Sequence, residues 1–465
     1  MILTPDALDP ERVADTCIIG SGPAGMTLAG ELSARGRDVL VLEAGGETMT
    51  PAAQEAYRGT VRGDPYLDIE YGRLRFLGGS SNHWGGMCRP LDAIDFETKD
   101  YAPEAAWPIA KSDLGPYFDR AREILEIDTR PDDRSVGEGI RAIDFLWSAP
   151  TRFGIEHVDA MAPRDTLRIC LDAPVTALTT GSGRVTAATI RARDGTTIEI
   201  RARRFVLACG GIENSRLLLH FNDRAEGRLI PQAQALGRYW MEHPHFTIGE
   251  ALLDGPQREE KFYSLEPDTM RALGVLNCGI RARVLPRDEW PRLAASMACG
   301  APELGRSITR HMSRHLICGT LLRAAWEQAP DRANRITLDP DARDAHGIPR
   351  PVLDWRKGEL DLRTVRESGL QFGIHLARTG RGRAKLFDWL FTGDFPENDE
   401  LAGNHHMGGT RMSARPGDGI VNRDLRVWGQ DNLYVAGSSV FPSGGHANPT
   451  FTIVQLSLRL ADHLA

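Results

Sequence analysis

The feature that most restricts the fold of this sequence is a glycine-rich turn close to its amino terminus. Residues 16–20 (TCIIG) are apolar and β-branched and predict a buried strand, and helical periodicity follows from Ala24. Between them, Gly20, Gly22 and Gly25 have the spacing G-x-G-x-x-G. In this motif the first glycine permits a sharp turn, the second lets a pyrophosphate approach the backbone, and the third lets helix and strand pack closely. We therefore expect a strand, turn and helix that open a Rossmann-like parallel sheet.

A second predicted strand supports a dinucleotide site. Residues 38–43 (DVLVLE) end in Glu43, which lies 23 residues after Gly20, near the place where a carboxylate holds ribose hydroxyl groups in this fold. The free amides at the start of the preceding helix would face the phosphates. The pattern predicts binding of a dinucleotide but does not by itself distinguish FAD from NAD.

Length and charge exclude several other classes of protein. A chain of 465 residues is long enough for two linked domains or for one large α/β unit with an insertion. Its formal net charge of −7 argues against a nucleic-acid binder that works by neutralising phosphates. No apolar run reaches the length of about 18 residues that a membrane span needs. The first residues carry acids and prolines in place of a secretory signal, so we expect a cytoplasmic location.

Metal sites and the commonest hydrolytic sites are not expected either. Seven cysteines are widely spaced without a C-x-x-C pair, which argues against a disulfide framework or a zinc site. His311 and His315 are four residues apart, but no acid is placed to complete a ligand set, so a solvated basic face is expected there. The sequence has no G-x-S-x-G, no P-loop and no H-E-x-x-H motif.

A second glycine-rich segment has the composition of a binding loop. Residues 72–86 (GRLRFLGGSSNHWGG) are too rich in glycine and small polar residues for a helix or a central strand. Such a loop suits close backbone approach to a flat ring or a diphosphate, and an ordinary flexible loop is the alternative. Arg73, Arg75, His83 and Trp84 favour binding, because a simple connection does not need such side chains.

Two segments near the carboxyl terminus complete the pattern. Residues 404–412 read NHHMGGTRM, and residues 433–436 (LYVA) predict a buried strand that is followed by a loop. A helix is expected from Pro449, with proline in its first turn, so Asn448 is expected at the position of the helix cap. The polar stretch 339–360 predicts a surface loop with a turn.

Together these segments resemble the glucose-methanol-choline (GMC) family of FAD-dependent oxidoreductases. The resemblance rests on seven elements that follow one another in family order and span most of the chain. They are GSGPAG with Glu43, LGGSSNHWGG, WPIAKSDLGPYFDRA, RFVLACGGIENSRLLL, GRYWMEHP, NHHMGGTRM and the carboxyl-terminal GIVNRDLRVWG with NLYVAGSSVFPS and NPT. The resemblance implies an α/β fold: a Rossmann-like FAD-binding domain with a parallel sheet, plus a substrate-binding domain with an antiparallel sheet.

The family layout also implies how the chain is divided. The FAD-binding domain would be discontinuous and consist of residues 1–95, 165–235 and 400–465. Residues 96–164 and 236–399 would form the substrate-binding domain. The sequence supports this modestly, because residues 185–208 alternate as the strands of a β-meander that returns to the nucleotide-binding sheet would.

The resemblance further implies oxidation of an alcohol to a carbonyl by a catalytic pair. In the family, a histidine opens an H-x-x-G-x-x-x-M segment, and a histidine or asparagine further along completes the pair. Here the segment runs from His405 to Met412, and the partner is Asn448, 43 residues after His405. His405 would take the hydroxyl proton while hydride passes to flavin N5, and Asn448 would hydrogen-bond the substrate oxygen. A shift of one residue would make His406 the base, and this alternative stays open.

The residues implied for FAD binding come from the glycine turn, the acid after the second strand, the glycine-rich loop and the carboxyl-terminal segment. They are Gly20, Gly22, Gly25, Glu43, Gly78, Gly79, Ser80, Ser81, His83, Trp84, Gly437, Asn448, Pro449 and Thr450. Some relatives attach the flavin covalently through a histidine in a loop of the pattern G-G-x-S-x-H, which His83 matches here. Many relatives have the loop without the bond, so both arrangements remain open. For His446, a place in the substrate cavity, a capping role and a solvent-facing position are all open.

The substrate is suggested by the branch of the family that the sequence resembles. The NHW triplet, asparagine at position 448 and the stretch EQAPDRANRITLD are similar to the sugar-oxidising branch. They imply a sugar, a glycoside or an aminoglycoside as the small-molecule substrate, and a non-sugar polyol or primary alcohol is the alternative. The electron acceptor is oxygen or an unknown carrier. A nicotinamide-dependent dehydrogenase, a flavin disulfide reductase and a non-catalytic FAD-binding protein are the rival classes.

Overall fold

Two β-sheets, one largely parallel and one antiparallel, organise the structure. The computed structural model describes residues 1–161, 164–253, 260–283, 320–397 and 402–465. Cys299, Cys318, His311 and His315 lie outside the described residues, so the expectations about them stay predictions.

The strands and helices of the described residues are as follows. The strands are β1 (Ile2–Leu3), β2 (Val13–Ile19), β3 (Val39–Leu42), β4 (Thr60–Gly63), β5 (Met87–Cys88), β6 (Arg134–Gly137), β7 (Ile140–Ile143), β8 (Leu146–Trp147), β9 (Leu167–Cys170), β10 (Val175–Gly181), β11 (Arg184–Arg191), β12 (Thr197–Leu207), β13 (His245–Leu253), β14 (Lys261–Leu265), β15 (Cys278–Arg283), β16 (Thr320–Trp326), β17 (Arg335–Arg343), β18 (Pro349–Trp355), β19 (Gly382–Leu386) and β20 (Leu433–Val435). The α-helices are α1 (Pro23–Ala34), α2 (Pro51–Glu55), α3 (Phe118–Ile124), α4 (Ile155–Met161), α5 (Glu213–Arg224), α6 (Pro267–Leu273), α7 (Glu359–Arg378), α8 (Trp389–Thr392) and α9 (Thr450–Leu464). Short 3-10 turns cover Pro5–Ala7, Gly79–Asn82, Ala93–Phe96, Pro103–Ala105, Lys111–Asp113, Gly115–Tyr117 and Ser438–Val440.

The first sheet carries the predicted glycine turn. Its strand order is β1-β9-β3-β2-β12-β11-β10, and β20 pairs with the end of β12. The strands β1, β9, β3, β2, β12 and β20 run parallel, whereas β12, β11 and β10 form an antiparallel meander. The long strand β12 belongs to both parts. Its residues 197–200 pair with β11, and its residues 205–207 pair with β2 on one side and with β20 on the other.

The predicted strands and helix of the glycine turn are confirmed. The strand predicted at 16–20 is the end of β2, the strand predicted at 38–43 is β3, and helical structure begins at Pro23. Both strands are apolar because the parallel sheet is buried on its two faces, so side chains of either direction meet the core. In β3, Val39, Leu40, Val41 and Leu42 are all buried.

The second sheet is antiparallel and has its own core. Its strand order is β19-β13-β16-β15-β14-β7-β6, and helix α7 packs on it. Phe246, Ile248, Trp326 and Phe372 are buried in this core. A parallel sheet of Rossmann type beside an antiparallel sheet confirms the expected fold class. The exact division of the chain into two domains stays a prediction.

Two local predictions were wrong. The stretch 339–360 is not a loop, because most of it belongs to the hairpin of β17 and β18, whose turn lies at residues 344–348. Its buried Val352, Leu353 and Trp355 alternate too weakly with polar residues to indicate a strand. Asn448 is not the helix cap, because Pro449 occupies that position before α9.

No helix among the described residues is long and apolar enough to cross a membrane, and the cytoplasmic location stays a prediction.

Candidate active site

Segments that follow four parallel strands line one cavity of about 530 Å³. They are residues 20–24 after β2, 43–44 after β3, 208–211 after β12 and 437–438 after β20. Ligands of open α/β sheets bind at this carboxyl edge of the strands. The glycine-rich loop and the two carboxyl-terminal segments that contain His405 and Asn448 complete the walls.

The glycine turn has the geometry that its spacing predicts. Gly20 has a φ of +106°, and a Cβ on Gly25 would lie 2.0 Å from the carbonyl oxygen of Gly20. Both positions therefore require glycine for the turn and for the contact of helix with strand. A Cβ on Gly22 would meet no atom within 4 Å. The start of α1 has no side-chain cap and lines the cavity, so its free amides and the open space at Gly22 fit a diphosphate.

Glu43 joins the glycine turn to the second strand. Its Oε2 accepts hydrogen bonds from Ser21 N at 3.1 Å and Ser21 Oγ at 2.6 Å, and its Oε1 accepts one from Gly45 N at 2.9 Å. Ser21 Oγ in turn accepts a bond from Gly78 N at 3.1 Å, which ties the glycine-rich loop to the turn. A carboxylate offers about four acceptor positions, so one remains for a ribose hydroxyl group at the cavity wall.

Hydrogen bonds within the glycine-rich loop and to Thr151 fix the loop at the wall of the cavity. Its one regular part is the short turn Gly79–Asn82, in agreement with the sequence prediction. Asn82 Nδ2 donates to the carbonyl oxygens of Leu77 and Gly79 at 2.9 Å, and Trp84 Nε1 donates to Thr151 O at 2.8 Å. Gly79, Ser80, Ser81, His83 and Trp84 all line the cavity. Gly78 does not, because it packs against the backbone of residues 153–154.

A short antiparallel ladder brings the MEHP and HHMG motifs together. Met241 N donates to Met407 O at 2.8 Å, and Met407 N donates to Met241 O at 3.0 Å. In this register His243 lies opposite His405, and the side chains of opposed residues lie on the same face of a ladder. The backbone pairing therefore sets the two imidazole rings against each other.

His405 contacts a different partner with each ring nitrogen. Its Nδ1 lies 2.8 Å from Nδ1 of His243, and its Nε2 lies 3.2 Å from Nδ2 of Asn448. His405 and Asn448 both line the cavity, whereas His243 is fully buried behind them. The structure thus brings together the pair that the sequence predicted and adds a third side chain.

One buried carboxylate holds both histidine backbones. Glu242 Oε1 accepts hydrogen bonds from the amide of His243 at 2.8 Å and from the amide of His405 at 2.7 Å. Its Oε2 accepts the hydroxyl proton of Tyr66. Burial raises the pKa of Glu242 to about 7.

His406 faces a different environment from His405. Its Nε2 lies 3.1 Å from the Tyr66 hydroxyl oxygen, and its ring packs against Trp240 with centroids 5.8 Å apart. Because the Tyr66 hydroxyl proton goes to Glu242, the bond to His406 requires a proton on Nε2 of His406. His406 borders the cavity, but its Nε2 is occupied.

The histidines of the site are held neutral. Burial, followed by the neighbouring His243, lowers the pKa of His405 well below its ordinary value. Burial lowers the pKa of His243 and that of His406 to about 3. A neutral imidazole has a free lone pair, so His405 can accept a proton at neutral pH.

The remaining predicted residues are placed as follows. Gly20, Gly22, Glu43, Gly437, Pro449 and Thr450 line the cavity, and Gly25 does not, because it packs helix against strand. His446 is buried, with Nε2 at 3.6 Å from Asp92 Oδ2, and it is outside the set of cavity-lining residues. Within the described ranges, the five cysteines are free and no histidine, cysteine and acid cluster is placed to hold a metal ion.

The sequence indicated no role for Glu242 or Tyr66, and for His243 the family resemblance implied only that its segment, MEHPHF, supports the wall of the active site. The MEHP motif was visible, but only the ladder with residues 403–409 shows that it pairs with the segment of His405. Adjacent acid and histidine residues beside a motif of the family were the available signal.

The sheet and its cavity define a dinucleotide-binding protein of Rossmann type, and residues 18–91 match the model of an NAD(P)-binding Rossmann-like domain. Residues 330–457 match the model of the GMC oxidoreductases. The chain is 25% identical to 2-methyl-1,2-propanediol dehydrogenase of Mycolicibacterium austroafricanum, over 97% of this chain and 95% of that enzyme. It is 26% identical to paromamine 6'-oxidase of Streptomyces fradiae, over 99% and 93%.

A solved structure agrees with these matches at the level of the fold. Pyridoxine 4-oxidase from Mesorbium loti superposes with a TM-score of 0.60 at 18% identity, and the match covers 97% of this chain and 99% of that one. The match to the GMC oxidoreductase model and the similarity to these enzymes along nearly the whole chain support the predicted resemblance to the GMC oxidoreductase family. The family implies a flavin cofactor, and the uncapped helix start, the open side of Gly22 and the remaining acceptor position of Glu43 fit one.

Two alanine substitutions should separate folding of the glycine turn from binding of the cofactor. Gly25→Ala places a methyl group against the Gly20 carbonyl oxygen, so we expect lower stability with and without flavin. Gly22→Ala meets no protein atom and should leave the apoprotein stable while weakening flavin binding at least about tenfold. Flavin titration and thermal unfolding of the apoproteins measure both effects. Equal flavin affinity of Gly22→Ala and the wild type would show that no diphosphate approaches this glycine.

Proposed function

We propose that this protein uses FAD to oxidise an alcohol group of a sugar or glycoside to a carbonyl, with His405 as the base. The proposal rests on one contact: His405 Nε2 lies 3.2 Å from Nδ2 of Asn448, and both residues line the cavity. A proton acceptor beside a neutral hydrogen-bond donor is the arrangement that alcohol oxidation needs, because both groups can contact one substrate oxygen.

The residues of the site divide the chemistry between them. When bound, FAD supplies the two-electron acceptor. His405 is neutral, and its Nε2 takes the proton of the substrate hydroxyl group, a step of general base catalysis that typically contributes about 10²–10⁴ in rate. Asn448 has no useful basicity, and its amide donates a hydrogen bond to the oxygen as negative charge develops there. His406 is the weaker candidate for the base, since its Nε2 proton is committed to Tyr66.

The relatives support a sugar-like substrate. They include enzymes that oxidise sugar and glycoside alcohols, and paromamine 6'-oxidase matches nearly the whole chain. One relative of equal coverage is a dehydrogenase of 2-methyl-1,2-propanediol, so a small diol is the second candidate. The non-catalytic alternative finds no support in the site, because the predicted base and its partner are in contact.

A substrate panel under anaerobic conditions tests the proposal directly. Purified holoenzyme is mixed with free sugars, glycosides, aminoglycosides and small diols while the flavin absorbance is followed. We expect bleaching of the flavin by at least one sugar or glycoside. Bleaching by diols alone would select the second candidate, and no bleaching by any alcohol would contradict the proposed function. Admission of air then shows whether oxygen or another carrier is the electron acceptor.

Matched substitutions distinguish the two neighbouring histidines. His405→Ala removes the base, so we expect turnover to fall by at least about 10² while the flavin stays bound. His406→Asn removes the bond to Tyr66 without touching the proposed base and should keep most of the turnover. Steady-state kinetics with flavin content as a control measure both variants. Full activity of the first variant together with loss in the second would exchange the roles.

For His83 we propose a covalent bond to the flavin, because this exposed side chain lines the cavity beside the glycine-rich loop. Burial of part of its ring, followed by Arg152, lowers the pKa of His83, which leaves a ring nitrogen free to form a bond. Acid precipitation of the holoenzyme should therefore give a yellow pellet, and His83→Ala should give a colourless one. A colourless wild-type pellet with all flavin in the supernatant would show noncovalent binding.

A further inference from the structure

The ring contact between His243 and His405 restricts where protons lie in both side chains. The two rings meet edge to face, with centroids 5.0 Å apart and an angle of 81° between the planes. Their Nδ1 atoms are 2.8 Å apart. Because both histidines are held neutral, one Nδ1 carries a proton and the other accepts it. The question is which of the two nitrogens is the donor.

The surroundings of His243 indicate which of its ring nitrogens carries the proton. The other ring nitrogen of His243, Nε2, is buried and has no partner at hydrogen-bond geometry. Gly444 adjoins this nitrogen, and the backbone groups of Gly444 and Gly445 raise the pKa of the ring, which is the effect of carbonyl acceptors. A carbonyl only accepts hydrogen bonds, so these groups favour a proton on Nε2. Neutral His243 then has an unprotonated Nδ1, which accepts the proton of His405 Nδ1.

The surroundings of His405 likewise indicate that His405 Nδ1 is the donor of this hydrogen bond. Its Nε2 faces the Asn448 amide nitrogen, which only donates hydrogen bonds. An unprotonated Nε2 accepts this bond, and a protonated one would not. The carbonyls at residues 444–445 and the amide of Asn448 therefore specify one and the same arrangement of protons along the chain of two rings.

We propose that His243 is a positioning residue that holds His405 in the tautomer with its proton on Nδ1 and its lone pair on Nε2, toward the cavity. Glu242 fixes both backbones, so the acceptor at His243 and the donor at His405 stay within one hydrogen bond of each other. The kinetic consequence of this assignment rests on the proposed function, in which Nε2 takes the substrate proton. The tautomer itself does not depend on that function.

The tautomers can be measured without any substitution or substrate. Holoenzyme labelled with ¹⁵N histidine is recorded by long-range ¹H–¹⁵N correlation, which distinguishes protonated from unprotonated ring nitrogens. The signals of His405 and His243 are assigned from their loss in His405→Asn and His243→Asn. We expect His405 to show protonated Nδ1 and bare Nε2, and His243 to show the reverse. Protonated Nε2 on His405 would overturn the proposal and would mean that the Asn448 amide is reversed.

Two substitutions at one position separate the acceptor from the packing. His243→Leu keeps a side chain of similar size but has no acceptor, so we expect the rate of flavin reduction by a substrate found in the panel to fall at least about tenfold. His243→Asn places a carbonyl oxygen near the position of the former Nδ1 and should recover most of the rate. His375→Leu is the matched control, because His375 is equally buried and its Nδ1 bonds Gly137 O at 3.0 Å. It should leave the rate of flavin reduction unchanged.

The outcomes distinguish failure of the positioning role from failure of the proposed function. A wild-type rate in His243→Leu would overturn the positioning role, as would equal losses in His243→Leu and His243→Asn, since a loss without rescue indicates packing alone. Combined with His405→Ala, His243→Leu should cause no further loss, because the residue to be positioned is gone. If no alcohol reduces the wild-type flavin, the proposed function fails, and the tautomer measurement still decides the arrangement of the rings.

Discussion

The site depends on the hydrogen bonds that Glu242 accepts. One oxygen of its buried carboxylate accepts hydrogen bonds from the backbone amides of His243 and His405, and the other accepts one from the Tyr66 hydroxyl group. These donors come from segments that are far apart in sequence, so the carboxylate joins them where no regular sheet does. Loss of a buried acceptor leaves its donors unsatisfied, which typically costs about 1–3 kcal/mol for each group. A carboxylate suits this buried position because its two oxygens accept hydrogen bonds from two backbone amides and one hydroxyl group at the same time.

Two kinds of strand pairing supply the parts that Glu242 joins. Four strands of the parallel sheet end at the same edge. This explains why the glycine turn, Glu43 and residues 208–211 and 437–438 line one cavity. The short antiparallel ladder between Met241 and Met407 then holds the segment of His405 at the wall of this cavity. A sheet therefore positions the proposed cofactor region, and a local ladder positions the proposed base. A displacement of this ladder by one residue would turn the side chain of His405 to the other face.

The sequence predicted the local parts of this arrangement and not its connections. The glycine turn could be predicted because each glycine has its own steric reason, and these reasons act within a few residues. The pair of His405 and Asn448 could be predicted only through resemblance, since a spacing of 43 residues has no local geometry that would bring them together. Their contact in the structure agrees with the expectation, although their roles remain proposals.

The connections were missed for physical reasons that can be stated. Glu242 is a charged residue in the interior, and hydrophobic patterning contains no signal for a carboxylate that is buried because several amides surround it. The stretch 339–360 was mistaken for a loop because its polar residues and turn signals outweigh Val352, Leu353 and Trp355, which become buried only when hairpin and helix α5 pack together. Asn448 was expected to cap α9, whereas its amide faces His405. Both errors concern side chains whose partners are distant in sequence.

The neutrality of the buried histidines and the position of Glu242 have a common consequence for the base. Before substrate binds, neutral His243, His405 and His406 avoid the repulsion that neighbouring imidazolium ions would cause in a dry site. In the proposed function His405 takes the substrate proton and would become a buried cation, which needs a compensating charge. Glu242 is the acid whose oxygen lies 2.7 Å from the His405 backbone amide, and a negative charge near the ring would lower the energy of such a cation. Burial raises the pKa of Glu242 to about 7, and the hydrogen bonds from Tyr66 and from the His243 and His405 amides oppose this rise, so the bonds that position the two histidines also favour the ionised form of Glu242.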